Sequence, residues 1–118
     1  MTPADPSRLL PLGTPVLHVL LALGHQKLHG YGIMQAIEQK TAGAATILPG
    51  TLYTTLNRML ADGLIEESPA PKNAPHDDRR RRYYRITRFG EEVVAAEAER
   101  MALLLEVACR DLKISCRG

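Results

Sequence analysis

Val94, Ala98, Met101, Leu105, Ala108 and Leu112 follow one another at spacings of 4-3-4-3-4. That is the seam of a helix built to lie against another helix along its length. Thr87 supplies an N-cap, Glu91 and Glu92 suit the first turn, and Arg110 and Lys113 suit the last, so the helix is expected from about Arg88 past Leu112. No other segment of the 118 residues is long enough to cover it. Leu103, Leu104 and Val107 add further apolar surface that one short partner cannot bury. A chain of this size forms one domain with a modest core, and the economical cover for such a helix is a second copy of itself. The seam therefore predicts a homodimer, with residues 88–118 as its dimerisation helix and tail.

The preceding residues read as three shorter helices and a hairpin. Pro3, Pro6 and Pro11 mark residues 1–13 as a flexible, irregular arm. Thr14 and Pro15 read as an N-cap and a first-turn proline, and the run from Val16 to Gly24 is apolar on nearly every side, as in a helix buried all round. Gly30 reads as the cap of a second helix, with Ile33, Met34, Ala36 and Ile37 facing inward and Lys40 at its end. Pro49 opens a third, in which Leu52, Leu56, Met59 and Leu60 form the buried stripe and Gly63 the C′ stop. Leu64 to Ser68 and Arg82 to Ile86 read as paired strands, with Tyr84 and Ile86 on one face and Tyr83 and Arg85 on the other. Pro69, Pro71 and Pro75 forbid pairing in the loop between them, which predicts a long mobile tip. Residues 14–87 thus form the expected winged helix-turn-helix body of a mainly α-helical protein.

Charge is concentrated on that hairpin. The run Arg79 to Arg88 holds six arginines and no acid, leaving nine basic residues against thirteen acidic ones elsewhere. Such a cluster on an acidic body favours a polyanion and fixes the face that approaches it. The third helix offers a second surface, since Gly50, Thr51, Thr54, Asn57, Arg58 and Ala61 lie opposite its buried stripe and include no carboxylate. Hydroxyls, an amide and a guanidinium suit base edges and phosphates, and Tyr53 at the boundary can pack its ring while its hydroxyl reaches outward. The expected double-stranded DNA contacts are Thr51, Tyr53, Thr54, Asn57 and Arg58 on the helix and Lys72, Arg79, Arg80, Arg81 and Arg82 on the wing. Tyr31 and Tyr84 read as framework.

Other classes find little support. Ser7, Ser68 and Ser115 fall in an arm, a strand end and a tail, with no phosphate-cradling glycine loop or nucleophile elbow, so no catalytic residue is expected. His18, His25 and His29 are separated by Gly24 and bounded by Gly30, which argues against a helical metal site, and no cofactor is implied. His76, Asp77 and Asp78 read as a solvated turn that moderates arginine repulsion. No apolar run reaches the roughly 20 residues of a membrane span, and the N-terminus lacks a signal-peptide pattern, so the expected location is cytoplasmic. Cys109 and Cys116 would share a helical face if the helix persisted and could there serve as a redox switch beside Arg110 and Arg117, whereas a disulfide framework is not expected in that compartment and cysteines without a role are commoner.

Three motifs in order carry a resemblance. HGY at His29 to Tyr31, PGTLY at Pro49 to Tyr53 followed by Leu56, Arg58, Leu60 and DGLI from Asp62 to Ile65, and RRYYRIT from Arg81 with Gly90 beyond it, together resemble the PadR-like transcriptional regulators. The likeness runs from about Leu12 to Ala108, and the single terminal helix resembles the family's short form. It implies a cytoplasmic dimeric repressor on an approximately palindromic operator, released by a small-molecule effector or stress signal. It also implies that Tyr53 and its helix face sit on DNA, with Arg81 and Arg82 in the wing. With no tryptophan and a single phenylalanine, Phe89, the chain departs from drug-sensing members that sandwich flat ligands between aromatic rings. A winged-helix module that binds protein or RNA is the alternative use of the same fold.

Overall fold

The computed structural model describes residues 5–115. Helices α1 (Thr14–Leu23), α2 (Gly30–Lys40) and α3 (Pro49–Ala61) are followed by strands β2 (Ile65–Ser68) and β3 (Tyr83–Ile86) and the long helix α4 (Arg88–Leu112), with a two-residue strand β1 (Leu28–His29) just before α2. In α1, Val19, Leu20, Ala22 and Leu23 are buried while Leu21 is half exposed, so one side of this helix stays open. Its cap is Gly13, and Thr14 is the first helical residue, one position earlier than the capping pattern suggested. A similar shift occurs at α2, where His29 and not Gly30 is the cap: the Gly32 amide donates to His29 Nδ1 at 3.0 Å. An imidazole can fill the acceptor role of the usual hydroxyl or carboxamide only as the tautomer with a bare Nδ1. Helix α3 has no side-chain cap at all. A missing cap costs about 1 kcal/mol, whereas Leu52, Leu56 and Met59 are fully buried and such side chains contribute about 1.5–3 kcal/mol each. Burial decides, and the helix forms.

The sheet is antiparallel with order β1-β3-β2. Ile65 faces Ile86 and Ser68 faces Tyr83 across the wing, and β1 adds Leu28 opposite Tyr84 and His29 opposite Tyr83 on the other edge. Tyr84 enters the core as expected, but Tyr83 is buried as well. The His29 ring meets the Tyr83 ring edge-on at 5.3 Å, and Ala74 of the wing loop is buried nearby in sequence to a short 3-10 turn, His76–Arg80. The loop is therefore folded back, not an open tip. Asp78, read as a solvated residue, sits 3.0 Å from Arg81 and 3.8 Å from His29.

Helix α4 begins at a crowded corner. The Thr87 hydroxyl accepts from the Gly90 amide at 3.0 Å and reaches the Gly63 carbonyl at 2.6 Å, while the Thr87 amide donates to the Leu64 carbonyl at 3.1 Å. Gly90, Val93 and Glu97 face the body and are buried. Across them lies the N-terminal segment, where Pro6–Leu9 forms a 3-10 turn and Leu9, Leu10 and Leu12 pack on the core. The prolines predicted an irregular arm; its described part is tied down, because the Leu12 amide donates to the buried Glu97 carboxylate at 2.6 Å. At the far end, α4 stops at Leu112 and Lys113 turns into the left-handed region at φ 54°. The expected common face with Cys116 falls outside the described residues, and Cys109 is disulfide-bonded, where no disulfide framework was expected.

Candidate nucleic-acid interface

The structure sorts the residues expected on α3 into a crest and two flanks. Gly50, Thr54, Asn57 and Ala61 line the exposed crest. The Thr54 hydroxyl donates back to the Gly50 carbonyl at 3.0 Å, so its proton is committed to the helix and its oxygen is left to accept. Asn57 is exposed, and both halves of its amide remain available for the paired donor and acceptor of a base edge. Thr51 lies on the flank toward α1, sharing a depression with Thr14 and His18, and Arg58 lies toward the N-terminal segment beside Leu12 and Asp62. Tyr53, half exposed, is on the opposite flank, its hydroxyl against Gly30.

On the wing the arginines are less free than their number suggests. Arg81 pairs with Asp78 at 3.0 Å, Arg82 with Glu67 at 2.5 Å and Arg85 with Glu66 at 2.6 Å. The register explains two of these contacts, since Glu66 stands opposite Arg85 and Glu67 opposite Tyr84. The Arg82 guanidinium also lies 5.8 Å from the centre of the Tyr84 ring. Arg79 donates to the Ala74 carbonyl at 3.3 Å. Arg80 and Lys72 are exposed, with no ion pair among the described residues. Exposed pairs of this kind are worth about 0–1 kcal/mol, so a row of phosphates can take over the guanidinium groups at little cost. Glu66 and Glu67, read only as strand residues, are the wing features that sequence reasoning missed; their alternation opposite Arg85 and Tyr84 was the available signal.

The seam divides along α4. Val94 is half-buried and packs on the core, whereas Ala98, Met101, Leu105 and Leu112 are exposed, as are Leu103 and Leu104. The first turns serve this chain's own core, and the later ones present an uncovered apolar face. The three histidines do not converge. His25 is exposed 3.7 Å from Glu91, His29 caps α2, and His18 lines the depression beside Thr51. No group of three potential metal ligands occurs among the described residues. Nor is any described helix long and apolar enough to cross a membrane.

Residues 16–96, from α1 through α3 and the wing into α4, match the model of the transcriptional regulator PadR-like family. The chain belongs to that family. The transcriptional regulator Rv3488 of Mycobacterium tuberculosis is 34% identical to this PadR-like chain over 81 residues, 69% of each protein. A PadR family transcription regulator from Clostridium difficile shares the fold with a TM-score of 0.69 at 21% identity, over 85% of this chain and 99% of that one. A transcriptional regulator from Clostridium thermocellum superposes with a TM-score of 0.67 at 26% identity, over 93% and 97% of the two chains. The protein is accordingly a PadR-like winged-helix transcriptional regulator, of a family of DNA-binding regulators and not of enzymes.

Proposed function

We propose that this PadR-like protein is a homodimeric repressor that reads an approximately palindromic operator with the crest of α3 and is released by a small-molecule effector or stress signal. The observation that carries the reading is the juxtaposition of a carboxylate-free, exposed helix face with a wing whose exposed arginines are held by weak surface contacts. Thr54 and Asn57 contact base edges, Tyr53, Thr51 and Arg58 flank them, and Lys72 with Arg79 to Arg82 grips the backbone. The uncovered half of α4, with Ala98, Met101, Leu105, Ala108 and Leu112, pairs with its copy and sets two reading helices about 34–36 Å apart or at a comparable spacing on the duplex. Selection of bound duplexes from a random-sequence pool tests this: an enriched inverted repeat is expected, and a pool that stays random at every round would overturn sequence-specific reading. A screen for compounds that release the selected duplex then tests the effector.

A further inference from the structure

Between the start of α2, the flank of α3 and the root of the wing lies a cavity of about 210 Å³, lined by Gly30, Tyr31, Tyr53, Arg81, Arg82 and Tyr84 with the capping His29. It is smaller than the roughly 300 Å³ at which pockets for drug-sized ligands begin, and it is polar in a particular way. Each titratable side chain lining it is a phenol, an imidazole or a guanidinium. The paired acids Glu67 and Asp78 hold Arg82 and Arg81 from outside. Arg82 meets Glu67 through Nε, which leaves its terminal amino groups to point elsewhere.

Two tyrosine hydroxyls complete the set. Tyr84 is only 3% exposed, and none of the hydrogen bonds among the described residues involves its hydroxyl. Yet no fully enclosed side-chain oxygen of the described residues lacks a partner, so the exposed remnant of Tyr84 is its hydroxyl end, and the cavity is where it opens. The Tyr53 hydroxyl stands at the same mouth because Gly30 has no side chain. A Cβ there would lie 3.0 Å from it. Of the first amides of α2, His29 satisfies that of Gly32, and that of Tyr31 lies one position before it at the positive end of the helix dipole, where the helix itself supplies no acceptor.

We infer that this cavity is the seat of one backbone phosphate, a single phosphodiester group that the Tyr53 and Tyr84 hydroxyls and the Arg82 guanidinium hold between reading helix and wing. The inference rests on the DNA-binding reading above and adds to it a role for Tyr84 and Gly30, neither of which presents an exposed side chain. Phosphate contacts of this kind position a protein on the duplex without reading sequence. The seat sets how deeply α3 enters the groove.

The test uses the full chain and a labelled random-sequence duplex, read by anisotropy over a salt series. Tyr53→Phe and Tyr84→Phe should each weaken binding roughly 3- to 10-fold at unchanged salt slope, since each removes one neutral donor. Gly30→Ala should weaken it comparably by displacing the Tyr53 hydroxyl, and Arg82→Gln should lower the slope by about 0.9. In a second arm, inorganic phosphate is titrated into the ¹⁵N-labelled protein, and the Tyr31 amide resonance should shift. Wild-type binding with Tyr53→Phe, whose ring is half exposed and whose folding is not at issue, together with a static Tyr31 amide, would overturn the phosphate seat. A wild-type protein that ignores duplex but shifts Tyr31 with phosphate would instead overturn the DNA-binding reading and leave an anion site.

Discussion

The Leu12 amide and the Glu97 carboxylate are joined at 2.6 Å, and through them the start of the chain is fastened to the helix that ends it. Arg100 donates to the other oxygen of the same carboxylate. The hydrogen bond from Arg100, followed by that from Leu12, lowers the Glu97 pKa below its ordinary value. A group whose folded pKa is depressed stabilises the fold fully above its unfolded pKa and loses that contribution as pH falls through the folded one. Glu97→Gln should therefore lower the melting temperature at pH 7, and the gap from wild type should narrow as pH drops below about 4.5, the ordinary glutamate value. Thermal unfolding from pH 7 to pH 3 measures both, and a gap that widens in acid would contradict the linkage.

Gly90 tests the corner between wing and α4. A Cβ at this position would lie 2.2 Å from the Leu64 carbonyl oxygen and 2.8 Å from Ile86 Cγ1. Backbone cannot move aside as a flexible side chain can, so Gly90→Ala should cost about 3 kcal/mol, the upper end of ordinary overpacking. Gly50, with nothing within 4 Å of its Cβ position, is the control. Gly50→Ala should be neutral or stabilise by up to about 1 kcal/mol through helix propensity. Urea unfolding of the pair compares them directly.

Asn57 and Arg80 should separate specificity from grip. Both are exposed and make no ion pair or hydrogen bond among the described residues. Asn57→Ala should relax preference at one operator position by about 1–3 kcal/mol while non-specific affinity holds. Arg80→Ala should weaken all duplexes alike and reduce the salt slope by about 0.9. Binding of both variants to a set of single-base operator variants at several salt concentrations resolves the two patterns, and a swap of the phenotypes would mean that the wing reads bases.

Leu105 is 54% exposed in the single chain, at the middle of the seam. Leu105→Asp should therefore leave the protomer's own stability within about 0.5 kcal/mol while burying a carboxylate in any helix pair, at a cost of several kcal/mol. Sedimentation should show monomers, and operator affinity should collapse to the weak, salt-sensitive level of one half-site. A Leu105→Asp protein that remains dimeric and keeps full affinity would place the interface elsewhere.

Long periodic segments were legible because their physics is local. The stripe of Leu52, Leu56 and Met59 and the run of α4 are stated by spacing alone. What escaped reading depends on partners distant in sequence. Two residues, Leu28 and His29, are too few to show alternation, and they form a strand only because β3 offers an edge. Tyr83 is buried by the His29 ring 54 positions earlier, and the Arg81 charge is met by an aspartate that composition marked as solvated. Glu97 interrupts the buried face that Gly90 and Val93 begin, and only the Leu12 amide and Arg100 make its burial tolerable. On the α3 face, type and exposure were legible together, but which side of the crest meets the wing was not, since that follows from how α2 presents Gly30 to Tyr53.

Thr87 has a mechanical consequence. Strand β3 ends at Ile86 and α4 begins at Arg88, and the one residue between them is hydrogen-bonded to Gly63, Leu64 and Gly90 at once. There is no slack at this joint. Wing and α4 behave as one stiff bracket about 38 Å long on the helical arm, and a small twist at its far end sweeps the near end through a larger arc. In the proposed dimer, a molecule that altered how two such brackets cross would need no contact with the proposed DNA-facing surface: leverage alone would carry the change to the groove.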